Sequence, residues 1–103
     1  MKVDVDQLVV VNNEAAKRFE IALPGALALA DYKRFPKKIV FTHTEVPEAF
    51  EGQGIGDKLV HAALEYAKAE HLTILPFCPF FRTYLRRHPA YQSLIDKGFK
   101  IKI

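Results

Sequence analysis

Glu51-Gly52-Gln53-Gly54-Ile55-Gly56 is the stretch on which the reading of this 103-residue chain turns. Three glycines at alternate positions sit between a β-branched run ending near Val46 and an amphipathic run beginning near Ile55. Glycine adopts backbone angles that other residues avoid and lets a ligand come close to the main chain. A helix opening at this point adds free N–H groups and the partial positive charge of its N-terminus. The pattern predicts a strand, a tight turn able to hold a phosphate, and a helix. The competing reading is a turn that only shapes a strand-to-helix connection. It is not a P-loop, because Asp57-Lys58 stands where a Lys-Ser or Lys-Thr pair is needed. Nor is it a dinucleotide fingerprint, since the third glycine comes too early and antiparallel strands precede it.

Working back from the turn, the first half of the chain reads as strands. Leu8-Val9-Val10-Val11 is apolar and β-branched, Asn12-Asn13-Glu14 is turn-like, and Phe19, Ile21 and Leu23 alternate with Arg18, Glu20 and Ala22. Pro24-Gly25 ends that strand, a third runs from Leu27 to about Tyr32, and Pro36-Lys37-Lys38 turns into a fourth, Ile39 to Val46. Four strands with short connections predict an antiparallel meander.

Working forward, Asp57, Lys58, His61, Glu65 and Lys68 recur at helical spacing, with Leu59, Ala63, Leu64 and Ala67 between them, so a helix is expected from Ile55 to about Glu70. Leu72 to Leu75 reads as a short buried strand stopped at Pro76, and Phe80 to Arg87 as a second helix closed by His88-Pro89. A last turn or helix spans Tyr91 to Asp96. Phe99-Lys100-Ile101-Lys102-Ile103 alternates like a terminal strand.

Composition sets the outer bounds. Half the residues are hydrophobic and 26% are charged, which suits one domain with one modest core over residues 1–103 and no disordered tail. The N-terminus Met1-Lys2-Val3-Asp4-Val5-Asp6 is acidic where a secretory signal is apolar, and no apolar run reaches membrane-spanning length. A soluble, cytoplasmic protein without a membrane partner is the expectation. The lone cysteine, Cys78, cannot form an internal disulfide, in keeping with a reducing compartment. The net charge of +3 serves solubility or an anionic ligand.

The strand, Val46-Pro47, and the glycine turn opening a helix resemble the acetyl-CoA-binding motif of the GNAT N-acetyltransferase superfamily. Its usual form, Gln/Arg-x-x-Gly-x-Gly/Ala, aligns with Glu51-Gly52-Gln53-Gly54-Ile55-Gly56, except that Glu51 replaces the glutamine or arginine. A carboxylate beside a diphosphate is unhelpful unless it points away, but the turn binds mainly through backbone donors. Thr42-His43-Thr44-Glu45-Val46-Pro47, the glycine turn, Cys78-Pro79-Phe80, and Tyr84 followed by His88-Pro89-x-Tyr91 together look like a group of minimal GNAT-like proteins of about this length. The resemblance implies an α+β chain with a truncated GNAT-like fold: the meander, then helix, strand and helix, the sheet splayed between the fourth and fifth strands and acetyl-CoA in the cleft. It names no acceptor beyond a primary amine, on a small molecule or a protein lysine.

The resemblance also distributes roles. The backbone from Thr44 to Val46 would pair with the pantetheine arm and thioester, while Gln53, Gly54, Ile55, Gly56 and Asp57 would hold the diphosphate. Acetyl transfer to an amine needs a proton acceptor, a polarised carbonyl and a proton for the leaving thiolate. Glu45 and His43, two apart on one strand, share a face where either can take the amine proton, or else form a solvated strand face. Tyr84 stands in a place like that of the tyrosine that protonates the thiolate, or packs its ring and wets its tip. Cys78 before Pro79 is either a nucleophile near the cleft mouth or a small buried hydrophobe. Arg82, Arg86 and Arg87 form a basic stripe at helical spacing that can meet the 3′-phosphate of CoA, or a solvated face.

His43, His61, His71, His88 and Cys78 contain no close-spaced ligand pair, so no metal is expected. No aromatic-basic interleaving supports a nucleic-acid partner. The rival function is a CoA-binding or interaction module that keeps the fold without turnover, because the chain is shorter than typical members and would lack much of their acceptor-binding wall.

Overall fold

The computed structural model describes residues 1–103. Five strands lie in sequence order across one sheet: β1 (Val10–Asn13), β2 (Arg18–Leu23), β3 (Ala26–Arg34), β4 (Lys38–Glu45) and β5 (Thr73–Pro76). The first four pair antiparallel, as a meander must, and β5 lies parallel to β4. That reversal requires a crossover, which is helix α1 (Ile55–Ala69); helix α2 (Pro79–Arg87) follows β5.

Local chemistry sets the hairpins. At Pro24-Gly25 the proline ends β2 and Gly25 takes a φ of 67°, so that Leu23 pairs directly with Ala26. The first strand is displaced toward the C-terminus from its expected Leu8–Val11, because both asparagines are held within it. Asn12 Oδ1 accepts from the Tyr32 hydroxyl at 2.6 Å, and Asn13 Nδ2 donates to Glu20 at 3.1 Å.

The alternation of β2 to β5 puts Phe19, Ile21, Ala28, Ala30, Ile39, Phe41 and Ile74 on one face, all buried. Against that face α1 buries Ile55, Leu59, Val60, Ala63, Leu64 and Ala67, and α2 buries Phe81, Tyr84 and Leu85. Phe81 stacks on Phe41 with centroids 4.1 Å apart. One core of 21 residues results, and no charged or polar-class residue lies inside it. Removing Leu64 to alanine would cost about 2 to 5 kcal/mol on this burial. Both helices cover the same face, so the molecule has two layers and the other sheet face is open.

Residues 99–103 do not form the expected terminal strand. Ile95 makes a single bridge to Ile74, and Asp96 N donates to the Ile74 carbonyl. The Asp96 carboxylate then accepts from Gly98 N at 2.8 Å, turning the chain off the edge of β5. Phe99 ends against Phe77, edge to face at 5.2 Å. The last turn forms earlier than expected, as a 3-10 helix over Pro89–Leu94. No helix is long and apolar enough to cross a membrane.

Candidate functional site

β5 is shorter than the strand it pairs with, and the site follows from that difference. Its four residues match Lys38 to Phe41, and the last contact is from Cys78 N to the Phe41 carbonyl at 3.0 Å. Beyond Phe41 the pairing of β4 with β3 shifts by one residue, leaving Thr42 as an extra residue in a bulge. From there β4 runs on to Glu45 with no strand paired to it on the β5 side, because Pro79 starts α2 and leads the chain away. The sheet is splayed at this point.

A cleft of about 520 Å³ opens where the strands part. Thr44, Glu45 and Val46 form one wall, the glycine turn with Phe50 and the first turn of α1 form the floor, and Phe80 and Arg87 of α2 close the far side. Thr44 pairs with buried Ala30 and so points to the helix side; Glu45 pairs with Leu29 and points to the open face. His43 Nε2 lies 3.9 Å from Glu45 Oε1, and both side chains are more than half exposed. The two share a face as expected, but only Glu45 lines the cleft.

Backbone geometry of the turn makes it a cradle. Gly52 and Gly54 have φ of 80° and 86°, and a β-carbon at either would meet no atom within 4 Å. The N–H groups of residues 52 to 57, six in a row, donate to no other group of the chain. Helix geometry alone leaves the first N–H groups of α1 free, and the glycines extend that row backwards. Gly56 differs: its conformation is helical, and Phe80 Cζ would lie 2.4 Å from an added β-carbon. Gly54, Ile55, Gly56 and Asp57 all line the cleft.

Gln53 does not. Its side chain turns back to the N-terminal segment, accepting from Val3 N at 2.9 Å and donating to the Met1 carbonyl. Lys58 joins it, donating to the Val5 carbonyl at 2.6 Å. This strap across the back of the turn has no signal in the sequence, since it is made by backbone atoms of residues 1–5.

The expected basic stripe is divided. Arg82 donates to the carbonyls of Pro76 and Phe77, and Arg86 to Thr83 Oγ1. Arg87 alone reaches the cleft. Phe80, Tyr84 and Arg87 share a helix face at i, i+4 and i+7, which is the spacing by which the Phe80 and Arg87 wall can be found in the sequence.

Cys78 is 4% exposed, with Sγ 3.3 Å from Thr44 Oγ1, beside β4 at the start of α2. Tyr84 is buried between the helices; its ring stacks on His88 and its hydroxyl lies 3.4 Å from His61 Nδ1. Burial, then the charges of Asp57 and Glu65, push this phenol above its ordinary range. Neither Cys78 nor Tyr84 lines the cleft. His61, Tyr91 and Glu65 form a small polar chain beyond Tyr84, in which the Tyr91 hydroxyl donates to Glu65. Nowhere do three His, Cys, Asp or Glu side chains gather as a metal group.

A strand, glycine turn and helix facing a second helix across a splayed parallel pair are compatible with a truncated GNAT-like fold. The profile described as GCN5-related N-acetyl-transferase matches residues 18–94, from β2 through the last 3-10 turn. Protein NATD1 of Mus musculus is 33% identical over 88 residues, covering 82% of this chain and 80% of its own length. Protein NATD1 of Homo sapiens gives the same identity over 82% and 78%, and that of Danio rerio 32% over 85% and 83%. The chain belongs to the GCN5-related N-acetyltransferase family.

Proposed function

We propose that the cleft binds acetyl-CoA and that the protein transfers its acetyl group to a primary amine. The observation that carries this reading is the row of N–H groups of residues 52 to 57, none of which donates within the chain, in a turn that lines a cleft beside the free edge of β4 through Gly52, Gly54, Ile55, Gly56 and Asp57. Phosphate oxygens complement such a row, and the N-terminus of the 15-residue α1 adds to the attraction. The Gly52 and Gly54 cradle, into which no side chain projects, fits the diphosphate. The edge of β4 at Thr44 to Val46 fits an amide-bearing arm by strand-like pairing.

Acetyl-CoA supplies the activated thioester, and this chain's residues orient it and move protons. An ammonium substrate gives up a proton before it attacks, and Glu45, a lining residue whose side chain points to the open sheet face, is the carboxylate that receives it from that side. The amine nitrogen bonds to the thioester carbon, the carbon–sulfur bond breaks, and the thiolate takes a proton from water or, relayed by a water, from Tyr84, which does not itself line the cleft. Tyr84 keeps its proton at neutral pH, since its range is raised. Cys78, screened by Thr44, favours direct transfer over an acetyl-cysteine route.

Two measurements test the reading. Acetyl-CoA is expected to raise the melting temperature by mass action, and thiol release is expected when a panel of amines is added. No thermal shift at millimolar acetyl-CoA overturns the binding. Binding without thiol release from any amine favours the second reading, a CoA-binding module, which the withdrawal of Cys78 and Tyr84 from the wall also supports.

A further inference from the structure

The charges around the cleft do not match its proposed ligand. Glu45, Glu51 and Asp57 are among its lining residues, Glu45 with its side chain toward the open sheet face, and Arg87 is the one cation of that lining. Lys58, next along α1, is engaged with the Val5 carbonyl. Arg82 and Arg86 are engaged with α2's own surroundings. The Arg87 side chain makes no hydrogen bond and no ion pair, although three acidic residues line the same cleft. It stands in the last turn of α2, where a cation is favoured by the helix dipole, but that role asks nothing of the cleft and is met equally by Arg86. A side chain on a helix leans toward the N-terminus, which brings Arg87 back toward Phe80 and the cleft.

We propose that Arg87 is the phosphate-recognising residue of the site: its guanidinium pairs with a phosphate group of the bound acyl-CoA and lets an otherwise acidic cleft hold a polyanion. This rests on the reading that the cleft takes acetyl-CoA. A guanidinium binds phosphate oxygens through two parallel N–H donors, a geometry that lysine or a lone amide does not offer. Arg87 can do so without breaking a side-chain hydrogen bond or an ion pair. The ligand has two sources of phosphate, the diphosphate and the 3′-phosphate, and the choice between them is open to direct measurement.

The experiment is calorimetric titration of wild type, Arg87→Gln and Arg86→Gln with acetyl-CoA and with its 3′-dephospho analogue, with melting temperatures measured alongside. Arg87→Gln is expected to weaken acetyl-CoA binding about tenfold or more at unchanged melting temperature, as loss of a charge-assisted pair does. Arg86→Gln is expected to stay within about twofold of wild type, because Arg86 bonds Thr83 outside the cleft. A loss that disappears with the dephospho analogue assigns the 3′-phosphate; a loss that persists assigns the diphosphate; either supports the proposal. Binding by Arg87→Gln within about twofold of wild type, or an equal loss in Arg86→Gln, overturns it while leaving the proposed function standing. Wild-type protein that binds neither ligand overturns both, and that result is seen before any variant is made.

Discussion

The ring of Phe80 lies across Gly56, and a β-carbon at position 56 would stand 2.4 Å from its Cζ. Gly56 is therefore a packing glycine, joining α1 to α2, and its role differs from that of the two left-handed glycines before it. Gly56→Ala is expected to destabilise the protein by up to about 2 kcal/mol through overpacking and to push the ring into the cleft. In a Phe80→Ala background the same change is expected to stabilise by about 1 kcal/mol, since alanine is the better helix former. Denaturant midpoints of the four proteins give the cycle. An equal cost with and without Phe80 would show that the ring is not the cause.

Gly54 has the opposite problem: space is ample and the backbone is strained. At φ 86°, with nothing within 4 Å of a β-carbon, Gly54→Ala is expected to cost about 1 to 2 kcal/mol from conformation alone. Gly54→Asn is expected to cost less, because asparagine tolerates this region better. Equal losses in urea unfolding for alanine and asparagine would argue against backbone strain as the origin.

The contact between Tyr91 and Glu65 is expected to show at both ends of the pH scale. The hydrogen bond to Glu65, aided by burial, raises Tyr91 to about 12, and the same bond lowers Glu65. The raised phenol adds stability that is complete below the ordinary tyrosine value of 10.0 and is lost as pH climbs through about 12. The lowered carboxylate adds stability that is present above the ordinary value of 4.5 and is lost as pH falls through its depressed one. In a titration followed by phenolate absorbance, Glu65→Gln should bring one tyrosine down toward its ordinary value. An unchanged curve would mean that the bond is absent in solution.

The meander and α1 are legible in the sequence because each carries its own period, with Phe19, Ile21 and Leu23 on one strand face and Leu59, Ala63, Leu64 and Ala67 on one helix face. The glycine turn is legible because Gly52 and Gly54 need angles that other residues avoid. Residues 99–103 mislead because alternation states only that a segment can be a strand. Whether it becomes one depended on the edge of β5, where Ile95 and Asp96 already stand. The division of the basic stripe could not be read either, since helical spacing gives the face but not the partners that hold Arg82 and Arg86. Gln53 lay outside the reach of any local pattern, because its partners are about fifty residues away at the N-terminus.

Cys78 separates two mechanisms, and its surroundings state which to expect. Its thiol is 4% exposed, contacts Thr44 Oγ1, and sits at the start of α2 beside the point where β4 and β5 part. A thiol so placed is reached by a reagent only when the splay breathes or the core opens. Iodoacetamide is therefore expected to modify it slowly in the folded protein and at once in urea, and acetyl-CoA, by filling the cleft, is expected to slow the folded-state reaction further. Cys78→Ala removes one buried sulfur and is expected to cost about 1 kcal/mol while keeping acetyl-CoA affinity and amine-dependent thiol release. Thr44→Val takes away the hydroxyl contact but keeps the screen, and is expected to leave the alkylation rate low. The decisive measurement is intact mass after incubation with acetyl-CoA and no amine, where direct transfer leaves the chain unmodified. A stable mass increase of one acetyl group on Cys78, with turnover lost in Cys78→Ala and binding retained, would replace direct attack by a covalent acetyl-cysteine route.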